Sequence, residues 1–375
     1  MPGIEKALLI SAYIAGKVSR TEAEESITEL AELTRTAGAV VINSFIQKIS
    51  SPNSSYFIGK GKAEEIKAEV GKEEIDLVVF DENLSPGQEK NLEELLETKI
   101  IDRTGLILDI FAQRARTREG KLQVELAQLN YLLPRLIGKG TALSRLGGGI
   151  GTRGPGESKL ESDRRRVRER IARIKQDLDK VRRTRELHRQ SRKSVPFPVI
   201  AIIGYTNAGK STLFNRLSKA PAGQGVLAED KLFATLDPTI RKMTLPERQT
   251  ALISDTVGFI KKLPHQLVEA FKATLEEVLN ADILLHVIDC SHSNAEVQIN
   301  SVKKVLEEIG ASDKPVISVF NKTDRLEGGI LPLHLKLIAG DAVFVSALTG
   351  QGIDDLTLAV SRSIRIFGKE GLAGK

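Results

Sequence analysis

Along roughly the first 115 residues, short apolar runs alternate with stretches whose apolar positions recur every three or four residues. The runs at 7–14, 39–50, 76–80 and 98–101 predict strands, and 21–35, 62–70 and 85–97 predict helices. Thr21 followed by Glu24, and Ser85 followed by Gln88, have the spacing of capping boxes at two of the helix starts. Such alternation favours a small parallel α/β domain, 1–115. Gly59-Lys60-Gly61-Lys62 reads as a turn and helix start in preference to an anion contact.

Between 116 and 194 the pattern is helical. Leu122, Leu126, Leu129, Leu133 and Leu136 form one narrow seam; Leu160, Val167, Ile171, Ile174, Leu178 and Val181 form another. Two such seams predict an antiparallel helical hairpin. The segment 144–156 between them is too rich in glycine to hold helix or sheet and predicts a mobile tip. The second helix, about 158–192, would be on the order of 50 Å long at 1.5 Å per residue. Pro196 and Pro198 end this arm. Strand–helix alternation then returns over 195–367, and 368–375 read as a frayed, disordered tail.

With 375 residues, 41% of them hydrophobic, the chain has enough apolar material for two or three cored domains. No apolar run approaches the ~18 residues of a membrane helix, and the run at 7–14 lacks a basic leader and a small-residue cleavage site. No membrane span is expected. The single cysteine, Cys290, offers neither an intrachain disulfide nor a zinc site, which suits a reducing cytoplasm. Charge sharpens the picture more. The formal net charge is +6, but residues 153–193 hold 16 Lys and Arg against 7 Asp and Glu, so the rest of the chain is slightly acidic. A positive stretch this concentrated is the footprint of a polyanion binder.

The apolar run 199–203 leads into Gly204-Tyr205-Thr206-Asn207-Ala208-Gly209-Lys210-Ser211, the P-loop spacing G-x-x-x-x-G-K-[ST]. The glycines Gly204 and Gly209, with Ala208, let backbone N–H groups wrap phosphates; Lys210 neutralises β/γ charge; Ser211 ligates Mg²⁺, with Thr212 beside it. P-loops also serve ATP, so the base is read elsewhere. The run 316–320 ends in Asn321-Lys322-Thr323-Asp324, an N-K-x-D motif. Asp324 can accept from guanine N1–H and the 2-amino group, where adenine offers no donor, a mismatch that rejects the wrong base strongly. Asn321 would brace the loop and read the base, and Lys322 would lie over the purine. Ser346-Ala347 supplies an S-A signature in which the Ala347 backbone N–H can donate to guanine O6.

Asp255-Thr256-Val257-Gly258 is a D-x-x-G motif, in which Asp255 holds Mg²⁺ through water and the Gly258 N–H meets the γ-phosphate. Upstream, Thr235 is the preferred Mg²⁺-binding threonine of the first switch, ahead of Thr239. Phe259 stands where many regulatory GTPases carry the glutamine that orients the attacking water, so that group must come from another residue or a partner. Asn207 either holds K⁺ near the phosphates in place of an arginine finger or simply braces the loop. His188, His265, His286, His292 and His334 lack metal or triad spacing and read as ordinary structural or surface residues.

Arginine dominates the basic arm: Arg164, Arg165, Arg166, Arg168 and Arg170 are followed by nine more Lys or Arg up to Lys193, among them Arg173, Arg182 and Arg183. This suits bidentate phosphate contacts, and the scarcity of aromatics argues against base stacking. Residues 151–166, from Gly151-Thr152-Arg153-Gly154-Pro155-Gly156 to Arg164-Arg165-Arg166, resemble the signature of the HflX family within the Obg–HflX GTPases. Residues 233–239 and 255–259 are similar to that family's switch segments. Ser158 and Lys159 depart from the usual Thr and Gln, and no counterpart of the extra C-terminal domain of some members is expected.

The resemblance implies a Ras-like P-loop GTPase domain behind the α/β domain and the hairpin. It implies a Mg²⁺-dependent GTP phosphohydrolase with GTP as substrate and GDP as product. It also implies binding to the large ribosomal subunit and its rRNA through the Arg164, Arg165 and Arg166 region, with a role in splitting or rescuing stalled ribosomes under stress. A monomer is the expected state. The competing reading makes the hairpin a dock for protein partners. An ATP-driven activity of residues 1–115 is suggested by the resemblance alone, and no second P-loop lies there.

Overall fold

The β-branched and aliphatic runs of the N-terminal part pair side by side as predicted. In this computed structural model they form four strands, β1 (Lys6–Ile14), β2 (Val40–Ile49), β3 (Leu77–Phe80) and β4 (Lys99–Asp102), in the parallel order β2-β1-β3-β4. The structure describes residues 4–144, 159–193, 197–218, 232–233, 235–236, 238–262, 272–326, 335 and 342–370. It divides into two units, Met1–Gln113 with Lys121–Val181, and Arg114–Gly120 with Arg182–Lys375.

In the first unit, helices α1 (Arg20–Ala37), α2 (Lys60–Glu73) and α3 (Pro86–Leu96) fall where the apolar period puts them. Ser85 and Gln88 form the expected capping box. The box expected at Thr21 and Glu24 is formed instead by Ser19 and Glu22, so α1 starts earlier and Thr21 sits in its first turn. Leu8, Ile10, Ile58, Ile66, Val78, Phe80 and Leu92 make a continuous core under one sheet face. The apolar pattern predicts no element at Arg103–Arg114, which is helix α4. Its Leu106, Ile107, Leu108, Ile110 and Phe111 are all buried and the exposed face is confined to Asp109, Ala112 and Gln113, too narrow to mark the helix.

Helix α5 (Arg118–Ser144) buries a different face from the predicted leucine seam: Val124, Ala127 and Tyr131 are buried, while Leu122, Leu126, Leu129 and Leu133 are half-buried. The reason is polar. Asp102, at the end of β4, accepts the Tyr131 hydroxyl at 2.9 Å and Arg135 Nη2 at 2.8 Å, as well as the backbone N–H groups of Gly105 and Leu84. Arg135 also donates to Glu89 at 2.6 Å. The hydrophobic period announces the helix but not a buried face set by a carboxylate. Helix α6 (Lys159–Lys193) has the predicted extent, on the order of 50 Å. Arg170 forks onto Glu125 of α5 at 2.6 and 2.7 Å, and Ile174 is fully buried. The expected glycine-rich tip, beyond Ser144, lies outside the described residues, as do Ser194 to Pro196 of the junction.

The second unit is a six-stranded sheet in the order β10-β9-β8-β5-β7-β6, with β5 (Val199–Gly204), β6 (Thr239–Thr244), β7 (Thr250–Asp255), β8 (Ile283–Asp289), β9 (Val316–Asn321) and β10 (Val343–Phe344). All pairs are parallel except the edge pair β6 and β7. Central strands covered on both faces should read as near-continuous apolar runs; β5 does, and β8 does up to Ile288 but for the buried His286. Among the described residues the helices are α7 (Lys210–Leu217), α8 (Lys272–Asn280), α9 (Ala295–Ile309) and α10 (Ile353–Glu370). Because α10 runs to Glu370, residues 368–370 of the expected tail are helical. No helix among the described residues is long and apolar enough to cross a membrane.

Candidate nucleotide site

Parallel strands present all their carboxyl ends at one sheet edge, where ligands of open α/β sheets bind. Each motif found in the sequence sits there: the P-loop after β5, Asp255 closing β7, Asn321 closing β9, and Ser346-Ala347 after β10. Asp289, which closes β8 and which the sequence reading passed over, joins them.

The P-loop conformation depends on its two glycines. Gly204 has φ 148 and Gly209 has φ 90; a Cβ at the first would strike the Val287 carbonyl oxygen, and at the second the Asn321 amide nitrogen. Asn207 has φ 61 with its side chain exposed, Ala208 packs into the core, and Thr212 is half-buried in the first turn of α7. Lys210 is buried, with Nζ donating to the Tyr205 carbonyl at 2.6 Å. Burial lowers its pKa to about 8, against the opposing pull of Asp255.

Three oxygens from three separate segments meet beside this lysine. Ser211 Oγ donates to Asp255 Oδ2 at 2.8 Å, Thr235 Oγ1 donates to the same atom at 2.8 Å, and the two hydroxyls stand 2.9 Å apart. Thr239, the alternative to Thr235, instead pairs with Asp255 through the β6–β7 ladder. Asp255 is fully buried and its pKa is raised by that burial, Lys210 pulling the other way; its Oδ1 has no hydrogen-bond partner. A buried, unsatisfied carboxylate oxygen beside two hydroxyls is the hard-oxygen donor set that a magnesium ion takes, so these residues fit the expected metal.

Gly258 lies against the loop, where a Cβ would approach Thr206 Cγ2 to 2.8 Å and Lys210 Nζ to 2.9 Å. The Phe259 ring is buried in the cluster of Ala201, Ile203 and Val278. It therefore belongs to the core and cannot orient a water.

At the base end, Asn321 is a cross-brace. Its Nδ2 donates to the Ala208 carbonyl at 2.9 Å and its Oδ1 accepts the Ala347 N–H at 2.9 Å. Both ends of the amide are thus engaged, and the Ala347 N–H expected at guanine O6 is turned to Asn321. Ser346 donates to Asp324 Oδ1, and Asp324 is otherwise exposed. Lys322, at φ 66, pairs with Asp289 at 2.7 Å. Arg216 of α7 donates to the carbonyls of Ala347 and Leu348, tying the P-loop helix to the loop after β10. Neither Arg216 nor Asp289 belongs to a spacing motif. His286 is buried and its pKa falls to about 4, which leaves it neutral and structural.

The chain is similar to known GTP-binding proteins. Residues 24–112 match the family described as GTP-binding GTPase N-terminal, 114–192 the GTP-binding GTPase middle region, and 199–322 the 50S ribosome-binding GTPase family. GTPase HflX of Caldanaerobacter subterraneus subsp. tengcongensis is 52% identical over 362 residues, covering 96% of this chain and 81% of that protein. GTPase HflX of Escherichia coli is 46% identical over 361 residues, covering 96% and 83%. Among solved structures, that of the SsGBP and GDP complex superposes with a TM-score of 0.52 at 27% identity, covering 96% of this chain and 98% of that one.

Proposed function

Because the chain belongs to the HflX family of GTPases, we propose that its nucleotide switch is coupled to the large ribosomal subunit and serves to split or rescue stalled ribosomes under stress. The observation that carries the switch is the meeting of Ser211, Thr235 and Asp255 on one buried carboxylate oxygen beside Lys210. In this reading Gly204, Asn207, Ala208, Gly209, Lys210, Ser211 and Thr212 cradle the phosphates. Ser211, Thr235 and Asp255 would hold Mg²⁺, which when bound neutralises phosphate charge. Asp324 reads guanine, Lys322 covers the base, and Asn321 with Ser346 and Ala347 holds that reader in place. Gly258 presents its N–H to the γ-phosphate. Asn207 either holds K⁺ or braces the loop.

Thr235 and Gly258 stand on the two segments that a γ-phosphate would draw together, so the triphosphate favours one arrangement and hydrolysis releases it. Water attacks the γ-phosphorus and GDP with phosphate leaves. The domain assignment proposed with this is 1–115, 116–194 and 195–367, in a cytoplasmic monomer. The rRNA contact is assigned to the exposed Arg165, Arg166 and Arg168 of α6, with Arg164 beside them. Glu169 and Asp163 stand 3.8 Å from Arg165 and Arg166, respectively. Exposed pairs of this kind are worth little and can give way to phosphates.

The test is sedimentation of ribosomes with the protein in a GTP analogue, GDP or no nucleotide. The large subunit should co-migrate in the analogue, whole ribosomes should dissociate, and Arg164–Arg166 to Ala should weaken binding and flatten its salt dependence. Nucleotide-independent, salt-insensitive binding would instead favour a protein dock.

A further inference from the structure

Tyr205 occupies a variable position of the P-loop, where the motif asks nothing of a side chain. Its ring is nevertheless buried, and its hydroxyl accepts the backbone N–H of Lys261 at 2.6 Å. On either side of it the P-loop backbone is joined to the segment after Asp255. Thr206 N–H donates to the Phe259 carbonyl at 2.7 Å, and Phe259 N–H donates to the Gly204 carbonyl at 3.1 Å, a one-residue parallel bridge. The Tyr205 carbonyl also receives Lys210 Nζ. One residue therefore touches both the P-loop lysine and the loop that carries Gly258. The bond from Lys261 uses the Tyr205 side chain, whereas the two at Phe259 use backbone alone, so it can be removed without disturbing those two.

We propose that Tyr205 is a positioning residue for the terminal phosphate: its hydroxyl anchors the segment just beyond Gly258 and so sets where the Gly258 N–H stands relative to Lys210. The proposal rests on the nucleotide reading above. A diphosphate has no group at Gly258, so the latch governs the preference for triphosphate over diphosphate and the rate of hydrolysis, leaving guanine binding itself alone. Loss of the hydroxyl leaves the Lys261 N–H to water and lets the loop shift, a displacement that costs rate because the phosphate contact must be held in place in the transition state.

The experiment compares full-length wild type with Tyr205→Phe. Single-turnover hydrolysis and affinity for a non-hydrolysable GTP analogue should each fall about 10-fold, the loss expected for one buried hydrogen bond. GDP affinity and Tm should stay within about twofold and a few degrees. A variant indistinguishable from wild type, or one whose GDP and analogue affinities fall together, overturns the proposal. Should the variant not fold, hydrogen exchange on wild type decides: the Lys261 amide must be better protected with the analogue than with GDP, and equal protection overturns the idea. A wild type that binds no guanine nucleotide sinks the underlying reading as well, whereas discrimination by wild type beside an unaltered Tyr205→Phe sinks this inference alone.

Discussion

Replacing Lys210 by methionine lowers GTP turnover by roughly 10³-fold or more while making the nucleotide-free protein more stable at neutral pH. The first effect follows from losing the one buried cation of the P-loop at the position where phosphate charge develops. The second follows from burial. Lys210 is charged at pH 7 although the folded chain has lowered its pKa from 10.5 to about 8. Between those values the unfolded chain binds the proton and the folded chain does not, so folding stability rises as pH climbs through that window. Below it the folded site bears the full cost of the charge. Methionine removes that cost, worth at most roughly 3 kcal/mol at pH 7, less whatever the lost bond to Tyr205 contributed. Urea titrations of both proteins without nucleotide should show the variant ahead at pH 7 and the gap closing near pH 10. A variant that is less stable at both pH values would mean the lysine is not held charged in a dry site.

Asp324→Asn should turn a guanine site into a xanthine site. An aspartate presents two acceptors, matching the N1–H and 2-amino donors of guanine. Asparagine presents one acceptor and one donor, matching xanthine, whose C2 carries a carbonyl. GTP affinity should fall by roughly 10³- to 10⁴-fold, the scale of rejecting a ligand that leaves polar groups unpaired, and XTP should recover most of the loss. Competition titrations read both outcomes. Because Ser346 Oγ can still donate to the asparagine oxygen, the loop should keep its shape. Equal weakening for both bases would place the base reader elsewhere.

Much of this site is legible in the sequence because phosphate and guanine impose spacing. Lys210, Asp255 and Asp324 each follow an apolar strand whose end fixes where they stand. The choice of Thr235 over Thr239 rested on position, and the geometry brings Thr235 onto Ser211. The residues that no pattern predicts act through contacts remote in sequence. Asp289 meets Lys322, Arg216 reaches the carbonyls after Ser346, and Tyr205 catches an amide 56 residues away. None needs a fixed neighbour, so none leaves a local signature. Ala347 differs from expectation for the same reason, its N–H satisfying Asn321 across 26 residues.

The fold divides along similar lines. Alternation predicts the parallel sheets, whose strands need only be apolar and short, and the capping box at Ser85. Helix α4 hides because its exposed face is confined to Asp109, Ala112 and Gln113, whereas the leucine spacing announces α5 and misses only its buried face, which Asp102 sets. Periodicity reports one-sided burial in oil; α4 is buried on most sides, and in α5 a buried carboxylate chooses the face.

The proposed switch needs one guanine nucleotide whose phosphates meet Lys210 and whose base meets Asp324, with magnesium held by Ser211, Thr235 and Asp255. The most direct measurement is calorimetric titration of the full chain with a non-hydrolysable GTP analogue and the matching ATP analogue, each with Mg²⁺ and with a chelator. The account predicts one site, a preference for guanine of at least about 10³-fold, and a marked loss of triphosphate affinity on chelation. Equal affinity for the two bases, or binding indifferent to magnesium, would contradict it.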